Sequence, residues 1–477
     1  MADYYLAIDL GASGGRHILG HAEEGKLVLE EAHRFSNAPL QMGDSLVWDA
    51  DRIFNEIVTG LEKCAARIKG GTTEIGAKAG ILRSAGIDTW GVDYALADKE
   101  GKLIGPVYSY RDSRTEPFFN TAVPAGELYR ITGAAFQPFN TIYQVLADKA
   151  SGRLDKAEYM LQLPEYFSHC LTGDLKSKAY NEYTMASTTG LLDASGKRWA
   201  KEIFEKLELP QRLFKPPREP PYDIGCLSEE LQKRAGFNTQ VVMTASHDTA
   251  SAVATVEEGS LYISSGTWSL LGVVGEPVLS EAARAAGYTN EGAHNGRIRF
   301  LKNIIGLWVI QSVRHELNDA YSFAELEAMA REAEKKAPAG WYIDPNQPRF
   351  FAPKSMISEI KDEYRRLGKK VPESPGELAF AVYTSLANCY RAAILDLEKI
   401  TGKNYPAISI IGGGSKDSYL NALTAEYSGR TVYAGPSEAT AVGNILLQMK
   451  QAGDPAVKDG FVNLVKRSFD VKEIKGR

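Results

Sequence analysis

Cysteine is scarce. The 477 residues hold four, Cys64, Cys170, Cys226 and Cys389, and none sits in a C-x-x-C pair. That excludes a zinc knuckle and a dithiol redox motif, and four in so long a chain do not make a disulfide scaffold. Reduced, mostly buried thiols and a cytoplasmic protein are expected, and spacing leaves open whether Cys64 and Cys226 pair. Long apolar runs are missing as well. No window approaches about 18 uninterrupted apolar residues, so no membrane span is expected. The opening residues carry Asp3 and reach Gly11 quickly, unlike a signal peptide. Excess positive charge is absent: 55 Lys plus Arg against 60 Asp plus Glu leave a net charge of −5. No basic field awaits nucleic acid or an anionic membrane.

Several catalytic signatures are also lacking. No H-E-x-x-H occurs, and no G-x-G-x-x-G follows a strand, which disfavours a zincin and a Rossmann dehydrogenase. Gly20–Lys26 has P-loop glycine spacing, but Leu27 replaces the required Ser or Thr and two glutamates would repel phosphate. Gly11–Gly15 matches G-x-S-x-G in form, yet a strand follows it where a nucleophile elbow needs a helix, so Ser13 is discounted as a nucleophile. What remains is ordinary for a globular protein: 44% hydrophobic and 24% charged residues, enough for about three domains of ~150 residues or two large ones.

Patterning places strands at Tyr4–Leu10, Arg16–His21 and Lys26–Phe35, a β-meander with a small-residue turn at Gly11–Gly15. Ile53, Ile57, Leu61, Ala65 and Ile68 mark a helix over Asp51–Lys69. A strand at Ala85–Asp88 runs into Thr89–Asp93. Helix and loop dominate Arg111–Ala200, and five prolines make Pro210–Pro221 a loop. Thr239–Thr244 is a strand ending at Ala245–Asp248, with a helix after it. At Gly259 the opening pattern returns: strand Ser260–Ser264, turn Ser265–Thr267, strand Trp268–Val274. The return suggests two halves of like fold, divided near residue 256, although a chance resemblance of two hairpins fits as well. Later come a long helix at Leu378–Thr401, a strand at Ala407–Ile411, the turn Gly412–Gly414 and a helix at Ser418–Ser428.

Five stretches can carry chemistry. Asp9–Arg16 (DLGASGGR) offers turn amides to an anion and a carboxylate to a hydrated cation, although an ordinary hairpin loop fits as well. Ile263–Ser269 (ISSGTWS) is a second small-residue hairpin suited to phosphate. Gly412–Gly414 lets a flat ligand approach backbone. Ser246-His247-Asp248-Thr249 sets an acid at a strand end before a helix, as a proton acceptor or as a plain N-cap. Asp88–Asp93 (DTWGVD) joins an aromatic, a glycine and carboxylates, as a sugar would need, and a buried core Trp fits too.

Taken in order, these motifs resemble the FGGY family of carbohydrate kinases, within the actin, Hsp70 and hexokinase-like group of ATPases. The resemblance covers nearly the whole chain. It also includes His33–Asn37 (HRFSN), Tyr110–Arg114 (YRDSR), Pro138–Gln144 (PFNTIYQ), Leu163–Phe167 (LPEYF), Ala245–Ala252 (ASHDTASA), Thr289–Gly292 (TNEG) and Leu301–Trp308 (LKNIIGLW). It implies an α/β fold of two ribonuclease-H-like domains, 1–255 for sugar and the first phosphate loop and 256–477 for ATP, with an interdomain cleft. The activity implied is ATP-dependent phosphorylation of a ketose, L-rhamnulose first, at its 1-hydroxyl, in L-rhamnose catabolism. On this resemblance Asp248 is the general base and Asp9 orders Mg²⁺. Ala12, Ser13, Gly14, Gly15, Arg16 and Thr267 embrace the phosphates, and Gln311 with Gly412, Gly413 and Gly414 borders the nucleotide. Gly91, His247, Asp248, Thr249 and Asn303 contact the sugar, with Asp93 a further contact.

Departures from the family pattern are modest. Gly14 replaces the usual second Ser of the phosphate loop, and Asp44–Trp48 and Lys69–Ala79 differ from the family as surface segments. Another ketose kinase, such as one for L-fuculose, is the nearest alternative. A non-catalytic actin- or Hsp70-like ATP-binding protein and a glycoside hydrolase are more distant ones. A monomer or homodimer without nucleic-acid or membrane partners is expected.

Overall fold

The structure is a computed structural model that describes residues 2–70, 80–119, 122–174 and 180–476. Most of the Lys69–Ala79 segment therefore lies outside the described residues. The chain divides into two compact units. The first comprises Met1–Glu257, Val274–Phe300 and Ala439–Phe469; the second comprises Glu258–Val273, Leu301–Glu438 and Asp470–Arg477. A single division at 255/256 follows the order of the motifs, but the compact units do not obey one cut, because two later segments return to the first.

The reason lies in the first unit's sheet. Its strands are β1 (Ala2–Gly11), β2 (Gly14–Glu23), β3 (Lys26–Ser36), β4 (Gly80–Thr89), β5 (Tyr222–Cys226) and β6 (Gln240–Met243). They lie in the order β5–β6–β4–β1–β2–β3. The meander β1–β2–β3 is antiparallel, while β1 and β6 both run parallel to β4. β1 is apolar on both faces, as a strand covered on both sides must be. Tyr4, Leu6, Ile8 and Leu10 pack with Ile53, Ile57 and Leu61 of helix Ala50–Gly70. Tyr5 and Ala7, on the opposite face, pack with Val442, Ile445, Leu446 and Met449. Helix Ala439–Ala452 is thus the second cover of the first sheet. Gly443 lets this helix press on helix Asp248–Val253, since a Cβ there would lie 1.7 Å from the Ser251 carbonyl oxygen.

The predicted helix-and-loop region from Arg111 holds helices Ala125–Thr132, Thr141–Ala150 and Leu163–Thr172, and also short strands, among them Tyr159–Gln162, which is paired to Tyr94–Ala97. Trp48 is not on the surface: it is buried, in a strand that pairs with Val107–Tyr108.

The second unit repeats the hairpin-plus-parallel-strand plan. Its strands are β7 (Leu261–Ser265), β8 (Trp268–Gly275), β9 (Ile298–Ile305), β10 (Ala407–Ile411), β11 (Thr431–Ala434) and β12 (Lys472–Ile474). They follow the order β9–β8–β7–β10–β11–β12. As β1 pairs antiparallel with β2 and parallel with β4, so β7 pairs antiparallel with β8 and parallel with β10. The expected likeness of two halves is present in this pairing. The long helix, Pro375–Thr401, starts at a capping box of Ser374 and Glu377 with Pro at its first turn, and ends at Gly402, whose φ is +68°. It is long and apolar enough to cross a membrane, but 72% of its apolar window is buried within the protein.

All four cysteines are free; Cys64 is fully buried, and Cys170, Cys226 and Cys389 are partly buried. The close approach of Gly443 to Ser251 predicts that Gly443→Ala destabilises the chain by about 2 kcal/mol, the scale of overpacking a tight core. Gly126→Ala, with nothing near the added carbon, is expected to stay within about 0.5 kcal/mol. Thermal denaturation of both variants checks this, and an unchanged midpoint for Gly443→Ala would contradict the packing.

Candidate functional site

In the first unit, the carboxyl ends of three parallel strands meet, where α/β sheets commonly bind ligands. Asp9 on β1 is the register partner of Asp88 on β4. One residue on, Thr89 bridges to His247, and the Thr89 N–H donates to the Ser246 carbonyl at 2.8 Å. Asp248 then opens helix Asp248–Val253. The carboxyl ends of β1 and β4 and the segments that follow β4 and β6 therefore bring together Asp9, Asp88, Gly91, His247, Asp248 and Thr249.

These carboxyls have different environments. Asp88 is fully buried; burial and the neighbouring Asp9 charge push its carboxyl well above the usual range, against a hydrogen bond from Asn444 Nδ2 at 2.5 Å. Asp9 is almost buried and is paired with Arg16. Asp248 differs from both, because its side chain keeps 35% of its exposure. Burial pushes its carboxyl up, but His247 and the hydroxyl and amide of Thr249 outweigh that, and it titrates below the usual carboxylate range. His247 Nδ1 lies 3.2 Å from Asp248 Oδ1, within reach for the ring N–H to donate to that carboxylate, and the Thr249 N–H and hydroxyl donate to the same oxygen. Asp248 thus stays ionised and open, as a proton acceptor must.

The phosphate-loop candidate is tighter than expected. The turn between β1 and β2 is Ala12–Ser13 alone, and Gly14 and Gly15 already belong to β2. Those glycines answer crowding: a Cβ would lie 2.9 Å from the Phe35 carbonyl oxygen at Gly14 and 2.3 Å from the Phe35 ring at Gly15. Ser13 is exposed at the tip, and Asn37 clasps the turn by donating to the carbonyls of Ser13 and Gly11.

In the second unit, Thr267 is exposed at the tip of the β7–β8 hairpin. Its carbonyl accepts the N–H groups of Gly306 and Trp308, which ties it to the start of the helix Trp308–Glu316 that carries Gln311. Asn303 lies on β9, three residues before Gly306. Gly412 has φ +81°, and a Cβ on Gly414 would lie 2.0 Å from Ser265 Oγ. The triple-glycine turn therefore packs on the same hairpin, so Thr267, Gln311 and Gly412–Gly414 gather at one end of this unit's sheet.

Asp93 is brought near but does not face the opening. It is fully buried, and its Oδ2 accepts Trp48 Nε1 at 2.7 Å, Trp90 Nε1 at 2.8 Å and the Tyr110 N–H at 3.2 Å, with Gln144 Nε2 on Oδ1 at 3.1 Å. Burial lifts its carboxyl to about 6 against these donors. With its acceptor positions filled by protein, the Asp93 carboxylate joins Trp48, Trp90, Tyr110 and Gln144, and the Asp93 N–H donates to the Gly91 carbonyl at 3.0 Å. Sequence reasoning gave no role to Asn444, Glu182 or Thr184. Asn444 donates to Asp88, Glu182 accepts the Ser246 N–H at 3.3 Å, and Thr184 Oγ1 accepts the His247 N–H at 3.2 Å. The available signal was polar side chains inside otherwise apolar stretches.

Among the described residues, no group of three His, Cys, Asp or Glu side chains is arranged to cage a metal. Mg²⁺ keeps several waters and needs one or two protein carboxylates beside phosphate oxygens. Asp9 fits that requirement.

Comparison with known proteins agrees in both halves. The model of the FGGY family of carbohydrate kinases, N-terminal domain, matches residues 4–255, and that of its C-terminal domain matches 261–452. The chain is 41% identical over 474 residues to a rhamnulokinase of Oceanobacillus iheyensis, covering 98% of this chain and 97% of that one. It is also 41% identical over 476 residues to a rhamnulokinase of Bacillus subtilis, covering 98% and 94%. In fold it is similar to a gluconate kinase from Lactobacillus acidophilus, with a TM-score of 0.79 at 17% identity, covering 100% of this chain and 94% of that one. A Plasmodium falciparum glycerol kinase with ADP gives 0.78 at 16% identity, covering 100% and 95%.

The His247–Asp248 contact predicts a titration. A carboxyl held below its ordinary value is ionised at neutral pH and gains its proton only as pH falls past that lowered midpoint. Removing the ring in His247→Ala leaves burial less opposed and moves the Asp248 midpoint upward. Carboxyl-carbon NMR of both proteins is the check, with an unmoved midpoint as the contrary result.

Proposed function

Because the chain belongs to the FGGY family of carbohydrate kinases, we propose that it transfers the γ-phosphoryl group of ATP to the 1-hydroxyl of L-rhamnulose, giving L-rhamnulose 1-phosphate and ADP. The observation that carries this reading is the 41% identity, over 98% of the chain, to proteins named rhamnulokinase. The open, ionised Asp248 supports the chemistry.

Phosphoryl transfer asks for positioning and charge stabilisation more than for covalent help. Asp248 accepts the proton of the sugar's 1-hydroxyl while that oxygen bonds to the γ-phosphorus. The bond from the γ-phosphorus to the β,γ-bridging oxygen breaks, and its electron pair leaves on ADP. A carboxylate of low basicity suffices, because a loose transition state needs the proton removed late. In this reading the sugar and the first phosphate loop belong to residues 4–255 and the nucleotide to residues 261–452, the stretches that the two family domains match. Gly91, His247, Thr249 and Asn303 hold sugar hydroxyls, and Asp93 braces the Gly91 backbone. Ala12 to Arg16 and Thr267 bind phosphates through backbone amides and small polar groups. Gln311 and Gly412 to Gly414 border the nucleotide. Mg²⁺ on the phosphates supplies charge neutralisation, and Asp9 would hold it through water.

A coupled ADP-release assay with ATP and Mg²⁺ against L-rhamnulose, L-fuculose, L-ribulose, L-xylulose, D-xylulose and glycerol tests the substrate. The highest kcat/KM is expected for L-rhamnulose; preference for another ketose would replace it. Asp248→Asn is expected to lower kcat by about 10²–10⁴, the range for loss of a general base, with ATP binding retained by calorimetry. Near-normal turnover in that variant would remove Asp248 from its role.

A further inference from the structure

Val92 has φ +69°. A β-branched residue enters this left-handed region only where its surroundings compel it, and such residues cluster where a site is held in advance of its ligand. Val92 follows Gly91 directly in the turn after β4. The Asp93 N–H donates to the Gly91 carbonyl at 3.0 Å and closes the turn on itself.

Three side chains impose the conformation. The Val92 carbonyl accepts Thr141 Oγ1 at 2.7 Å and Gln144 Nε2 at 3.2 Å, and the Val92 N–H donates to Thr188 Oγ1 at 3.3 Å. Gln144 is almost wholly buried, and its Nε2 also reaches Asp93 Oδ1 and the Phe139 carbonyl, each at 3.1 Å. Its Oε1 accepts Arg114 Nη2 at 3.4 Å, and Arg114 is anchored to buried Asp148 at 2.7 Å. The turn is thereby tied to an ion pair rather than to a movable surface loop. Its other side is equally constrained. A Cβ on Gly91 would lie 3.1 Å from the His247 ring and 3.2 Å from Thr188 Oγ1. Thr188 therefore touches both the backbone that is strained and the space beside His247.

We propose that the Trp90–Asp93 turn determines sugar specificity, its strained form being imposed by Thr141, Gln144 and Thr188 so that the Gly91 backbone and His247 keep one spacing that accepts one ketose stereoisomer. This rests on the ketose kinase reading given above. The three imposing side chains are positioning residues, because they act through the turn. Stereoisomers differ only in where a hydroxyl points. Rejecting the wrong one requires donors and acceptors fixed to a fraction of an ångström, since a mismatched sugar must leave a buried polar group unpaired. A relaxed turn would adjust to either isomer.

The test compares wild type with Gln144→Met, which keeps the side chain's bulk and removes its hydrogen bonds, and with Thr188→Val, a milder loss of the Val92 acceptor. The readout is the ratio of kcat/KM for L-rhamnulose to that for L-fuculose, with the KM for ATP measured alongside. The ratio is expected to fall by about tenfold or more, with a raised ketose KM and an unchanged ATP KM. If Gln144→Met does not fold, Thr188→Val decides alone. Variants that lose activity on both ketoses in equal proportion, or keep the ratio, overturn the proposal while leaving the kinase reading in place. A wild-type protein with no sugar-dependent ADP release overturns the functional reading and this inference together.

Discussion

Residues 5–10 pair in parallel with residues 84–89, and the first unit's chemistry hangs on that register. It sets Asp9 beside Asp88 and, through Thr89, brings His247 and Asp248 to the same sheet end. Side chains alternate along a strand, so a slip of one residue would turn each of these groups to the other face. The register is locked from the helix Ala439–Ala452. Asn444 Nδ2 donates to the Gly86 carbonyl and to Asp88, and Gln448 bonds the Leu6 carbonyl and Ser84 Oγ. Gly86 has to lack a side chain, because a Cβ there would sit 2.7 Å from Asn444 Oδ1 and 2.8 Å from Thr244 Cγ2.

Acidic groups gathered in a partly buried place repel one another unless each is treated differently. Here the treatment sorts them. Asp88 is driven toward its neutral form, Asp9 is balanced by Arg16, and Asp248 is kept charged by His247 and Thr249. One carboxylate is thereby left both ionised and open. The same sorting separates Asp93 from Asp248: both belong to striking sequence motifs, but four donors occupy Asp93 while Asp248 keeps solvent access.

The glycine-rich stretches illustrate how a correct location can have a different physical cause. At Gly14 and Gly15 the Phe35 backbone and ring fill the space that a side chain would take. The exposed tip of this turn is at Ser13. The Gly412–Gly414 turn is a different case. Gly412 needs its positive φ, Gly414 admits Ser265, and Gly413 has nothing near its missing Cβ. At Gly413 the backbone presents open space.

The sequence alone determined several of the elements and their kind. The two-faced apolar pattern of residues 4–10, the helical stripe from Ile53 to Ile68 and the repeat of the hairpin at Ser260–Val274 are local periodicities, and local periodicity survives without a third dimension. Motif order was likewise enough for the family and for the positions of Asp9, Asp248 and the glycine turns. Tertiary structure decided what the chain's distant parts do for one another. Residues 439–469 cover the first sheet's second face, Trp48 reaches Asp93, and Gln144 and Thr188 hold Val92 in a conformation its own side chain opposes. None of this is written in spacing along the chain, because burial, hydrogen-bond saturation and backbone strain are properties of neighbours in space.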